Sequence, residues 1–362
     1  MSIEGLGQGA EHGGRRRECL DGCKNMTRSQ NTRSACMFGL KEGLRHARPE
    51  VQLNEQGYVT SSEDNLLGGL SLNDFERDLN AGAGKELMGK FRAAHSSAAL
   101  AVNCFAPLRS AGLQFSIGRL DGLQVEGFER RFPTGLSRAQ PPHLDVVTSG
   151  PDGLVAIESK CIEYLTPKRP KFSARYETGI TDERAAGPWY AEMMRLRSEK
   201  KPSYRWLDAA QLIKHAFGLA KVDATSTLLY LYWEPMDAGI SPIFEKHRSE
   251  IAALSDRVTG SSPRFEAMSY LELWEQWANV DDENLRSHAA SLRARYEVPA
   301  WAWEGVEWKD GRLRSASWLD ELLENPEAER ACAEDTIARA VASGIMTPEV
   351  ARKLYLGDYL DH

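Results

Sequence analysis

No run of roughly 18 consecutive apolar residues occurs in the chain, so the sequence offers no membrane-spanning helix and no membrane partner is expected. The opening stretch, MSIEGLGQGAEHGGRRRECL, lacks the apolar core of a secretory signal. Cysteine is sparse: six residues, at 19, 23, 36, 104, 161 and 332. Such scatter builds no disulfide framework, and with the missing signal it sets the expectation of a soluble protein in the reducing cytoplasm. Cys19, Cys23 and Cys36, even with His12, fit no regular zinc-ligand spacing. No internal repeat and no methyltransferase or helicase motif is present.

What remains is a chain of 362 residues, 42% hydrophobic and 27% charged, enough for one large α/β domain with additions or two modest ones. The formal net charge of −7 argues mildly against a protein that coats nucleic acid. Distribution qualifies that number. Residues 160–205 hold eleven Lys or Arg against six Asp or Glu, whereas 301–362 hold seven against thirteen. A solvated charged surface accounts for such a run equally well, so it serves only as support.

Three regions are expected. Residues 1–70 are rich in Gly, Ser, Asn, Gln and Arg without sustained periodicity, and read as a poorly ordered leader. Residues 71–300 read as the folded domain. Residues 301–362 read as an acidic helical extension, opened by Trp301, Trp303, Trp308 and Trp318 and closed by two short helices. Within the domain, Leu87, Phe91, Ala94, Ala98, Ala101 and Phe105 recur at helical spacing and predict a helix over 85–105. Strands are expected at 127–132, 143–148 and 154–162, then a basic loop at 166–175 and a helix at 206–221. A buried strand at 226–235, a helix at 242–257, a strand at 265–270 and helices at 271–278 and 282–296 complete the reading. The order predicts an α/β fold with a mixed β-sheet flanked by helices.

The informative segment is HLDVVTSGPDGLVAIESKCIEYL, residues 143–165. Pro151 and Asp152 suit the centre of a tight turn, and the glycines on either side relieve the backbone. With that two-residue loop, Gly150 pairs with Gly153, and the register carries Asp145 opposite Glu158. Directly opposed side chains start about 5 Å apart, so two carboxylates would repel unless a cation lay between them. Mg²⁺ is such a cation: it takes one or two carboxylates, water and phosphate oxygens. Alternation puts Glu158 and Lys160 on one strand face with Leu154, Ala156 and Ile162, where an unpaired charge would be costly. The competing reading is a surface hairpin with ordinary charges, because a D-x12-E-x-K pattern alone has little specificity. His95, His143 and His215 receive no catalytic role, being more often structural. Cys161 points to the other strand face and is read as packing.

Asp145 followed by Glu158-Ser159-Lys160 resembles the core of the PD-(D/E)XK nuclease superfamily, the restriction-endonuclease-like fold. The likeness covers about residues 80–275. With KFRAAHSSAALAVNCF it resembles a group of bacterial restriction endonucleases. Leu144 stands where many members carry Pro, although Pro141 and Pro142 lie just upstream. The resemblance implies a metal site of Asp145, Glu158, the Ser159 backbone carbonyl and a helical Glu, for which Glu86 is the candidate. It also implies a Gln on the following helix, here Gln211, with Lys214 near it on the same face. The implied cofactor is Mg²⁺, with Mn²⁺ able to substitute. The implied partner is DNA, its backbone held by Lys168, Arg169, Lys171, Arg175 and Lys214. A homodimer and a separate methyltransferase are the further partners such enzymes commonly have. The expected activity is hydrolysis of DNA phosphodiester bonds in defence against foreign DNA. The alternatives are a repair or processing nuclease on the same fold and a non-cleaving nucleic-acid-binding or assembly protein.

Overall fold

The computed structural model describes residues 28–300 except 55, 82–86, 88, 137–140, 181–186 and 224, together with 306–309 and 312–315. The chain divides into a large unit, Cys36–Ala300, and a second made of Met1–Ala35 and Trp301–His362. Among the described residues no helix is long and apolar enough to cross a membrane.

The large unit is built on six strands: β1 (Phe115–Ile117), β2 (Leu120–Arg131), β3 (His143–Gly150), β4 (Gly153–Lys160), β5 (Thr227–Tyr232) and β6 (Arg264–Ser269). They lie side by side in chain order. β1 to β4 form an antiparallel meander, and β5 and β6 add in parallel beyond β4. The mixed α/β sheet expected from the sequence is therefore the one observed. β5, TLLYLY, is buried at every position, the pattern of a parallel strand covered on both faces.

The helices are α1 (Arg28–Ala47), α2 (Glu76–Ala81), α3 (Ser97–Ser110), α4 (Arg175–Gly179), α5 (Pro188–Ser198), α6 (Ala209–Leu219), α7 (Pro242–Arg257), α8 (Tyr270–Ala278) and α9 (Glu283–Tyr296). One face of the sheet packs under α5, α6 and α7. Trp189, Met193, Leu212, Ile213, Ala216 and Leu254 meet Val147, Ala156, Leu228, Tyr230, Tyr232 and Phe265 there. α3 crosses β2, β3 and β4. It lies on the opposite face, because Ser159, the neighbour of Glu158 and pointing the other way, reaches its Ser97 carbonyl.

Three expectations are corrected. Order begins well before Ser71: α1 and the chain after it are folded, with Leu44, Val51, Val59 and Ala94 forming a small buried cluster. The Arg- and Ser-rich composition hid this helix, which is specified by tertiary contact. A side chain on Gly43 would collide with the Arg295 carbonyl, so the glycine permits the close approach. The helix predicted from 85 starts only at Ser97. The Ser96 side chain caps it by accepting from the Ala99 N–H at 3.2 Å, after a short 3-10 turn at Lys90–Arg92. Of the supposed helical extension, the described residues are a hairpin, β7 (Val306–Lys309) against β8 (Arg312–Ser315). The two acidic helices, Trp301, Trp303 and Trp318 lie outside the described residues, as does the leader before residue 28.

Candidate active site

The hairpin of β3 and β4 turns at Pro151-Asp152. Gly153 has φ of +103°, a backbone conformation that glycine adopts without strain. Gly150 pairs with Gly153, and the register runs to Val146 opposite Ile157. This is the register expected from the turn, and the next step places Asp145 opposite Glu158. The Asp145 Oδ2 accepts the Ser159 backbone N–H at 2.6 Å.

β2 adds a carboxylate absent from the sequence reading. Phe128 pairs with Val146 and Arg130 with Leu144, so Glu129 stands opposite Asp145. Glu129, Asp145 and Glu158 thus occupy one row across three adjacent strands. Glu129 adopts φ of +50°, unusual for a residue with a side chain. Its Oε2 lies 3.7 Å from Nδ1 of His143, two residues before Asp145 on β3.

The electrostatics follow from this crowding. Burial, then the Glu158 and Glu129 charges, push the Asp145 carboxyl well above the usual carboxylate range, against the opposing pull of Lys160 and the Ser159 N–H. Glu158 is only 2% exposed. Its Oε1 accepts a hydrogen bond from the Lys160 ammonium, and its Oε2 lies 3.5 Å from Nδ1 of His215 on α6. Burial disfavours the Lys160 charge, but Glu158, Asp145 and Glu163 outweigh it and raise its pKa, so the ammonium stays protonated. Burial lowers the pKa of His215, although Glu158 pulls the other way. Strand alternation could not have found Glu129, because the connection from β2 to β3 fixes no register in sequence. His215 had a signal: it falls one turn after Gln211 on α6.

The remaining sequence candidates divide. Asp208 caps α6 by accepting the Gln211 N–H at 3.1 Å, and Lys168 reaches the other Asp208 oxygen at 2.8 Å. Gln211 is thus in the first turn of α6, half-buried. Lys214 turns its ammonium toward the rings of Phe172 and Tyr176, at 5.5 and 5.9 Å from their centroids, and burial lowers its pKa. Arg169, Lys171 and Arg175 are exposed on the loop after β4 and the start of α4. With Phe172, Leu196 and Arg197, Arg169 and Lys171 line a shallow groove. Cys161 is buried and its N–H donates to Glu163 at 2.7 Å. Glu86 lies outside the described residues.

The donor set suits a hard divalent cation. The ligand atoms in this row are carboxylate oxygens, one carboxyl among them already pushed toward protonation by burial and its neighbours. Among the described residues no three His, Cys, Asp or Glu side chains converge closely enough to enclose a metal. Mg²⁺ needs no such cage, because it keeps several waters and binds through one or two carboxylates.

Compared with known proteins, residues 39–297 match the model of a family described as Restriction Endonuclease associating with ARP. No curated protein and no solved structure matches the chain.

Proposed function

We propose, because the chain belongs to the family described as Restriction Endonuclease associating with ARP, that it is an endonuclease of the PD-(D/E)XK type. It hydrolyses DNA phosphodiester bonds with Mg²⁺ as cofactor and serves defence against foreign DNA. The observation that carries this reading is the placement of Asp145, Glu158 and Lys160 at one point of the β3–β4 hairpin.

Asp145, Glu158 and the Ser159 carbonyl would hold the cation, with Glu129 beside them as a further carboxylate. When bound, Mg²⁺ supplies a Lewis acid for the scissile phosphate and a water of lowered pKa. Glu158 anchors Lys160 through their ion pair and keeps it charged. Lys160 therefore acts as a cation, orienting the attacking water by hydrogen bond and offsetting the charge that grows on the phosphoryl oxygens. The Ser159 N–H fixes the rotation of Asp145. Asp208 and Lys168 tie the basic loop to the start of α6, beside the site, where Arg169, Lys171 and Arg175 can meet the DNA backbone.

The reading is tested by incubating the purified chain with supercoiled plasmid and with single-stranded DNA in Mg²⁺, in Mn²⁺ and in EDTA. Cleavage in either metal that EDTA stops is the expected result. Cleavage that persists in EDTA rules out the metal-dependent reading.

A further inference from the structure

Glu158 is faced from both sides, and only one side is bonded. Lys160 donates to Oε1, whereas the group facing Oε2 is the His215 imidazole. His215 is 2% exposed, and its Nδ1 is buried without any hydrogen-bond partner. An unsatisfied buried polar nitrogen is costly, so such a group needs an explanation. At 3.5 Å the Glu158 oxygen lies just beyond normal hydrogen-bond length, and a small rotation of the carboxyl group would close the gap. A neutral imidazole carries one N–H, and on Nδ1 that proton would point at Glu158. α6 holds the ring in place: it is capped by Asp208, and Leu212, Ile213, Ala216 and Phe217 around His215 are buried in the core.

We propose that His215 is a positioning residue whose Nδ1–H donates to Glu158 Oε2, fixing the carboxylate so that a divalent cation finds it preset. The role rests on the metal-site reading above and deepens it. With His215 on one oxygen and Lys160 on the other, Glu158 is gripped by α6 and by its own strand. The motif Asp145, Glu158, Lys160 is then completed by a side chain from outside the hairpin, and occupation of the site is coupled to the packing of α6 on the sheet.

The test is Mn²⁺ binding to the full chain without DNA, followed by the paramagnetic resonance signal of free Mn²⁺. Four variants are compared with wild type: His215→Leu, His215→Asn, His215→Gln and Glu158→Gln. Loss of a hydrogen-bonding partner behind a metal ligand typically weakens metal affinity by about 10–100-fold, which is the loss expected for His215→Leu. Asn can return an N–H to the Nδ1 position and should restore most of the affinity. Gln places its amide further out and should not, so the Asn–Gln contrast serves even where the Leu variant fails to fold. Wild-type affinity in His215→Leu, or equal loss in the Asn and Gln variants, overturns the role for His215 while leaving the site intact. Wild-type Mn²⁺ binding by Glu158→Gln overturns the site itself, and the His215 role with it.

Discussion

At Asp145 three unfavourable contributions meet: burial, the Glu158 charge and the Glu129 charge, with only Lys160 and one N–H to offset them. A carboxylate kept in such surroundings without a cation lowers stability, and removing its charge should raise it. Asp145→Asn is therefore expected to melt higher than wild type in EDTA, since its amide oxygen still accepts the Ser159 N–H. Added Mg²⁺ should stabilise wild type by mass action, by about 2.7 kcal/mol at a hundred times the dissociation constant, and leave the variant unmoved. A thermal melt of both proteins in EDTA and in Mg²⁺ decides this, and an Asn variant that melts lower in EDTA contradicts the account. Asp145, Glu158 and Lys160 could be read from sequence because a tight turn fixes the register of its own strands. Glu129 could not: β2 reaches β3 through a longer connection, its pairing shifts between Val125 and Gly127, and Glu129 itself has a left-handed backbone. None of these is encoded locally.

The β3–β4 hairpin sets the site through its turn. A side chain at Gly153 would both force a strained φ and collide with Thr225. Gly153→Ala is expected to cost about 1–3 kcal/mol in chemical denaturation and to weaken Mn²⁺ binding by loosening the register. An alanine variant of wild-type stability and affinity would show that the turn does not govern the site. The end of β5 offers a pH test. Burial raises the Glu234 carboxyl to about 7 from its ordinary 4.5, although Arg248 pulls it down. Its folded pKa lies above its unfolded one, so its contribution is full below pH 4.5 and is lost as pH rises to about 7. The stability of Glu234→Gln relative to wild type should therefore climb by about 2–3 kcal/mol across that range, measured as urea midpoints. A flat difference would mean that the carboxyl is not perturbed. Elements with a strong internal pattern were legible. α7 has the predicted limits, and β3, β5, β6, α8 and α9 match within a few residues. α1 and α5 were not foreseen, because their sequences mix charged and apolar residues without a clean stripe, and contact with the rest of the fold supplies the missing specification.

For the whole molecule, the sheet and its flanking helices gather into one unit what the sequence scatters. The hairpin carries Asp145, Glu158 and Lys160, β2 adds Glu129, α6 carries His215, and the basic loop is tied to α6 by the pair of Lys168 and Asp208. Family membership over residues 39–297 spans all of these parts. The proposed function has this assembly cut DNA with Lys160 as the cation at its centre. Plasmid cleavage in Mg²⁺ by wild type and by Lys160→Ala, purified identically and with folding checked by circular dichroism, tests it most directly. Wild type should linearise or nick the plasmid, and the folded Lys160→Ala protein should do so at least about a hundredfold more slowly. Equal cleavage by the two proteins would contradict the account.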